Sequence, residues 1–460
     1  MTPDHPQARW LRRVSRGAGP MYLALAAALE AAIQDGELQP GDQLPPQRAV
    51  AELLGIDFTT VTRAYGAARD RGLVEGTVGR GTFVRARAAE EDEAGRVDLS
   101  MNLPPPPQGL SLGAMLKATV AAILDHTDAA TLMAYHAGAG TLGQKLAGAA
   151  WLTPCLGEIA PERVLVCPGA QAGLAALLAT LTRPGDTLIV EPLTYPGLIA
   201  IARQAGLRLV ACPADAEGVL PEDLARLCAD EKPAAIYLVP TTQNPTASTL
   251  PLARRRAVAQ IARDRGVWLI EDDPYSRLFD NPLPALASLA PERVFHLATL
   301  SKCLSPGLRT AFLATPGGAI GEAAAEALRA TAQMPAPLMA AVAARWIREG
   351  SAEALLAGVR REARARREIA AQALPAARGA AEGVHVWLDL PESWPPDRLA
   401  RAAQSRGLSL VTAEAFATSR NHPNGIRISL GGPAKRAVLK EALQAVAGLL
   451  RGGPGPSTIV

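Results

Sequence analysis

Six of the chain's 47 basic residues are lysines, and one of them, Lys302, lies in ATLSKCLSPGLR, seven residues ahead of Arg309. Thr299 and Ser301 place hydroxyls beside it. A lysine becomes a nucleophile toward carbonyls where burial or neighbouring cations lower its pKa. An arginine close by suits a bidentate grip on phosphate. Four earlier stretches also carry groups that could bind a ligand. PGAQAG, around Gly169, Ala170 and Gln171, is a glycine turn running into a helix. Its free N–H groups and positive dipole end would suit an anion such as phosphate. Tyr195 in PLTYPG could stack on a planar ligand. Asn244 in TTQNPT stands before a proline, which holds its backbone extended and its amide ready to donate. EDDPY puts Asp272 three residues before Tyr275, and three acids ending a buried strand need something cationic. Each feature also has a structural alternative. The glycine can serve the turn alone, Tyr195 can pack over a sheet edge, Asn244 can make an Asx-type turn, and the acids can form buried ion pairs.

The elements that would position these groups are short β-rich runs alternating with alanine- and leucine-rich helices. Candidate strands are RVLVC (163–167), TLIVE (187–191), LRLVAC (207–212), AAIYLVP (234–240), VWLIED (267–272), RVFHLA (293–298) and AFLAT (311–315). This order predicts an α/β fold with a mostly parallel sheet, in which ligands sit at the carboxyl ends of strands. Most of the motifs follow a strand, in chain order. Together they call for one ligand that is flat, phosphorylated, basic at a ring nitrogen and an aldehyde: pyridoxal 5'-phosphate.

The first 87 residues follow another pattern. Leu25, Leu29 and Ile33 recur at helical spacing, QRAVAELLG is a short helix stopped by Gly55, and Asp57 can cap FTTVTRAYGAARDRG, ending at Gly72. On that helix Val61, Tyr65 and Ala68 share one face and Thr59, Thr60 and Arg63 another. LVEGTVGRGTFV then alternates and turns at Gly79–Gly81, as a hairpin would. Helix, helix, tight turn, helix, hairpin is the order of a winged helix-turn-helix. Its polar face could enter a DNA major groove, with Arg80 reaching a phosphate or the minor groove. The alternative is a winged helix used for protein contact.

Between the halves, charged RARAAEEDEAGRVD (85–98) reads as a solvated linker, and the prolines of LPPPPQGL (103–110) as an extended spacer. A chain of 460 residues exceeds one core. The expected division is 1–87 DNA-binding, 88–98 linker, 99–345 large domain and 346–460 small C-terminal α+β domain. A net charge of +3 neither favours nor excludes nucleic acid, so any basic patch is local. Five scattered cysteines lack metal-ligand spacing; they read as reduced thiols in a cytoplasmic protein, with no metal site. No signal peptide and no membrane span is expected.

The N-terminal sequence from LPPQRAVAELLG to GRGTFV resembles the DNA-binding domain of GntR-type bacterial regulators. That resemblance implies operator contacts from Arg48, Thr59, Thr60 and Arg63. Phe58 stands where many relatives carry an arginine. Residues from about 99 to 450 are similar to a fold-type I aminotransferase, through PGAQ, TYPG, NPT, EDDPY and SKCLSPGLR; NPTA replaces the commoner NPTG at Ala247. By that resemblance Lys302 forms the internal aldimine and Asp272 pairs with the pyridinium nitrogen. Asn244 and Tyr275 hold the ring hydroxyl oxygen, Tyr195 stacks on the ring, and Ala170, Gln171, Thr299 and Arg309 hold phosphate. Tyr135 in AYHAGAG would reach the phosphate of a partner subunit, which implies a homodimer. Arg427 in NGIRISLGG would clamp an α-carboxylate. The combination resembles the MocR group of transcriptional regulators. It implies binding to double-stranded operator DNA and sensing of an amine, an amino acid or pyridoxal phosphate through the Lys302 aldimine. The alternatives are a working aminotransferase with an accessory N-terminal domain, or a lyase or decarboxylase on the same fold.

Overall fold

The structure is a computed structural model that describes residues 6–14, 19–35, 37–38, 41–71, 73–77, 81–84, 96–136, 139–391 and 393–453. It divides into two units, Met1–Ala94 and Gly95–Val460.

In the first unit, α1 (Met21–Gln34), α2 (Gln47–Leu54) and α3 (Phe58–Asp70) precede an antiparallel hairpin of β1 (Val74–Thr77) and β2 (Gly81–Val84). Gly55 ends α2 in the left-handed region, at φ 61°. Asp57 caps α3 by accepting from the Thr59 amide at 2.8 Å. Val61, Tyr65 and Ala68, at helical spacing, bury one face of α3 against Leu25, Leu29 and Val50. The Tyr65 hydroxyl is satisfied by the Pro45 carbonyl at 2.9 Å. A 3-10 segment, Pro6–Arg13, adds the fully buried Trp10 to this core. The α3 helix ends at Asp70 with Arg71 as its cap; Gly72 and the Gly79–Arg80 turn lie outside the described residues.

The second unit opens with β3 (Val97–Asp98). Its main sheet comprises β4 (Val164–Cys167), β5 (Thr187–Val190), β6 (Arg208–Ala211), β7 (Ala235–Leu238), β8 (Trp268–Asp272), β9 (Val294–Thr299) and β10 (Ala311–Ala314). These are the seven strands expected from the sequence. Their spatial order is β4-β10-β9-β8-β7-β5-β6, and β10 runs antiparallel to both neighbours. Apart from β6, the strands are buried along most or all of their length, as a sheet covered by helices on both faces requires. A smaller antiparallel sheet joins β11 (His385–Asp389), β13 (Val411–Thr412) and β14 (Gly425–Ser429), while β12 (Leu408–Ser409) pairs in parallel with β3.

Three expectations about boundaries change. The stretch read as linker to residue 98 ends in sheet, because Val97 and Asp98 pair with Leu408 and Ser409. The proline run is a packed surface as well as a spacer: a Cβ at Gly358 would stand 2.7 Å from Pro107. The expected domain break at 345/346 falls inside helix Pro337–Glu349. The change of core comes along helix Ser351–Ala373, whose Leu355 and Val359 pack with the main sheet and whose Ala370 packs with the small one.

Candidate functional site

At the carboxyl ends of the main-sheet strands, the loops and the small sheet enclose a cavity of about 710 Å³. Its wall brings together Ala170, Gln171, Tyr195, Asn244, Asp272, Tyr275, Thr299, Ser301, Lys302, Arg309 and Arg427. These residues span more than half the chain; the strand order of the main sheet gathers all but Arg427, which the small sheet adds.

Asp272 ends β8. Its Oδ2 accepts from the Tyr237 hydroxyl of β7 at 2.6 Å, while its Oδ1 is buried without a partner. Burial pushes the Asp272 carboxyl up to about 6, against the pull of the Tyr237 hydrogen bond. The acids on either side of it are structural. Glu271 accepts from the Leu286 and Ala287 amides and meets His296 Nδ1 at 2.9 Å, with Arg255 at 3.9 Å. Asp273 accepts from the Ser276 amide at 2.9 Å and faces His296 Nε2 at 3.5 Å. The residues of the EDD run thus differ: Glu271 and Asp273 are internally compensated, and Asp272 keeps one oxygen open.

Lys302 donates to the Asn102 carbonyl at 2.6 Å. Burial, with Arg427 and Arg309 near, brings its amine down to about 8. Asn102 also donates to the Tyr275 hydroxyl at 3.1 Å and contacts His385 Nδ1 at 3.0 Å. His385 in turn meets the Gln243 carbonyl through Nε2 at 3.1 Å, and burial holds its imidazole down to about 3, hence neutral.

Arg309, at φ 44° after a 3-10 turn, reaches back over the start of helix Ala170–Leu181. Gly169 sits at φ 89°, and a Cβ there would stand 2.7 Å from the Arg309 Nη2. The glycine thus opens a cradle between a guanidinium and unsatisfied helix N–H groups, a natural anion site. Thr299 donates to the Ser301 hydroxyl at 3.0 Å beside it.

Arg427, on β14, is 7% exposed. It donates to Asn244 Oδ1 at 2.7 Å and to the Ser100 carbonyl, and its Nε is buried without a partner. Arg427 is thus an interior cation, where an arginine on a strand is ordinarily a surface residue. Tyr135 lies outside the cavity of its own chain and is 80% exposed, in a surface run that includes Met133, Leu142 and Leu146.

In the first unit, Arg48, Thr59 and Arg63 are exposed and Thr60 is half-buried. The Arg63 guanidinium lies 4.3 Å over the Tyr22 ring, and the Thr59 hydroxyl is engaged with Asp57. Phe58, at the start of α3, is exposed. Arg80 lies outside the described residues.

Sequence reading missed Tyr237, Asn102 and His385. Tyr237 is a tyrosine in a fully buried parallel strand, and its hydroxyl had to find a partner; that was a readable signal. Asn102 and His385 gave none, since their contacts cross 173 and 283 residues of chain.

Residues 95–446 match the family described as aminotransferase class I and II, and residues 21–84 match the gntR family of bacterial regulatory proteins. The chain is 32% identical over 451 residues to the uncharacterized HTH-type transcriptional regulator YdeF of Bacillus subtilis, covering 96% of each chain. It is 30% identical over 364 residues to the probable rhizopine catabolism regulatory protein MocR of Rhizobium meliloti, covering 72% of each. The chain belongs to the MocR group of GntR-type regulators. Among solved structures it resembles LysN, an α-aminoadipate aminotransferase of Thermus thermophilus complexed with N-(5'-phosphopyridoxyl)-L-leucine. The TM-score is 0.71 and the identity 26%, covering 78% of this chain and 93% of that one.

Pyridoxal phosphate is the cofactor of this MocR-type family. The cavity fits it on three counts: the open oxygen of Asp272 suits a protonated ring nitrogen, the Gly169–Arg309 cradle suits a phosphate, and the lowered amine of Lys302 suits an aldehyde. Among the described residues no helix is long and apolar enough to cross a membrane.

Proposed function

We propose that this chain is a pyridoxal phosphate-dependent, DNA-binding transcriptional regulator of the cytoplasm. In this reading it works as a homodimer and senses a small amine or amino acid, or the cofactor itself, through Lys302. When bound, the cofactor supplies an aldehyde that condenses with primary amines. The chain's own residues do the rest. Asp272 holds the ring nitrogen. Asn244, its Oδ1 already taken by Arg427, offers its amide N–H to the ring oxygen, and Tyr275, its oxygen accepting from Asn102, offers its proton there. Tyr195 covers the ring; Gly169, Ala170, Gln171, Thr299, Ser301 and Arg309 take the phosphate, joined by Tyr135 of a second copy. Arg427 takes an effector carboxylate. Arg48, Thr59, Thr60 and Arg63, with Arg80, face the operator.

One observation carries the regulatory reading. Lys302 and Arg427, the groups meant for the aldehyde and the carboxylate, both donate to backbone carbonyls of one short segment, at Asn102 and Ser100. That segment directly follows β3 and the stretch leading from the DNA-binding unit. The cofactor's aldehyde, on taking Lys302, and an effector carboxylate, on taking Arg427, compete with those carbonyls, and an amine that takes the aldehyde returns Lys302 to its own. Occupancy therefore releases or tightens the segment, which is the differential contact that coupling between two sites requires.

The test is fluorescence anisotropy of the holo-protein on DNA upstream of its own gene, at stated salt, against an unrelated fragment of equal length. Binding at least ~10³-fold tighter than to the control, and altered by an amino acid, is expected. Operator binding that neither an amine nor loading of the apo-protein with cofactor alters overturns the sensing role. Turnover of an amino acid with 2-oxoglutarate near the ~10 per second median of enzymes would replace it with the aminotransferase reading, which the joint presence of Lys302, Asp272 and Arg427 in one cavity favours.

A further inference from the structure

Among the described residues the cavity wall carries four charged side chains: Asp272, Lys302, Arg309 and Arg427. On the function proposed above, on which this inference rests, the first three are matched by the cofactor's ring nitrogen, aldehyde and phosphate. Arg427 is left, with its buried, unpartnered Nε, and it matches one carboxylate.

Apart from its polar bonds to Asn244 and Ser100, Arg427 is flanked by apolar side chains. In the antiparallel ladder of β13 and β14, Val411 stands directly opposite Arg427, so the two side chains share a face and their Cβ atoms lie within about 5.5 Å. The Phe416 ring centroid is 5.0 Å from the guanidinium carbon, and the ring is buried. Met101 and Leu103 line the same cavity, and Met101 is 56% exposed.

We infer that the effector is an amino acid with a single carboxylate and an apolar side chain, and that Val411 is the residue that sets this preference. The carboxylate neutralises Arg427, and the side chain lies against Val411, Phe416, Met101 and Leu103. A second carboxylate or a distal ammonium among those four side chains would lose its water against apolar groups, which costs far more than an apolar group gains or loses there.

The test follows the absorbance of the bound cofactor while holo-protein is titrated separately with leucine, methionine, glutamate, lysine and methylamine. Operator anisotropy is recorded in the same samples. Leucine and methionine are expected to act at concentrations on the order of 100-fold below glutamate and lysine, in both readouts. Val411→Arg places a cation beside the clamp and is expected to reverse the order of leucine and glutamate. Glutamate or lysine acting at the same concentration as leucine on the wild-type protein overturns the inference, whether or not the variant folds. An absorbance that no amine perturbs, methylamine included, overturns instead the reading on which it rests.

Discussion

Arg63 on α3 and Arg427 on β14 carry the same guanidinium in opposite settings. Arg63 is exposed on its helix, its guanidinium carbon over the Tyr22 ring. Arg427 is 7% exposed, bonded to Asn244 and Ser100, and burial draws its pKa down. On the proposed function, the difference follows from the partner. A DNA duplex is a large external polyanion that a convex surface can grip, and its attraction is strong enough to work through water. A single carboxylate on a small molecule binds usefully only where water is excluded and the local dielectric is low. Asp272 and Lys302 show the same logic, with values shifted to about 6 and about 8 inside the cavity.

The sharpest break between the two regions is Lys302→Ala. It should abolish the absorbance band expected of a lysine-linked cofactor and, with it, the response of operator binding to amines. If the band survives, the lysine is misassigned. Arg63→Ala is the converse. It should weaken operator binding by about 1–3 kcal/mol and leave the absorbance unchanged; an unaltered operator affinity counts against this recognition face.

A smaller effect comes with pH. The Lys302 amine attacks only when neutral, and its pKa lies near 8. Cofactor loading by the apo-protein, followed by absorbance, should therefore speed up about tenfold per unit as pH rises from 6 toward 8 and level off above it. Operator binding by the apo-protein, followed in the same samples, should show no matching rise. The smallest effect concerns the loop of Asn244. Ala247 sits at φ 57°, in the left-handed region that disfavours a Cβ. Ala247→Gly should stabilise the second unit by about 1 kcal/mol, read as a shift in its denaturation midpoint. This also accounts for the glycine commoner at that position.

Much of this was legible from local pattern. Gly55 and Asp57 marked the turn of the helix-turn-helix because one supplies a left-handed cap and the other an N-cap, both properties of single residues. The seven strands of the main sheet were readable because each is a short β-rich run between helices, and the motifs after them fell in order because a doubly wound sheet gathers the carboxyl ends of its strands at one edge. The reading failed where the relevant contact is distant in sequence. The end of the linker looked like charged spacer, but Val97 and Asp98 gain their partners from residues 408 and 409.

The sequence by itself determined the two-part architecture and the candidate groups that follow the strands of the main sheet, because residue type and spacing along one element carry that information. The tertiary structure decided what state those groups are in. It compensated Glu271 and Asp273 while leaving one oxygen of Asp272 open, supplied Tyr237 from the neighbouring strand, and set Lys302 and Arg427 on the carbonyls of one segment beside the linker. Burial and cross-chain hydrogen bonds fix protonation and partnership, and neither is a property of any short stretch of residues.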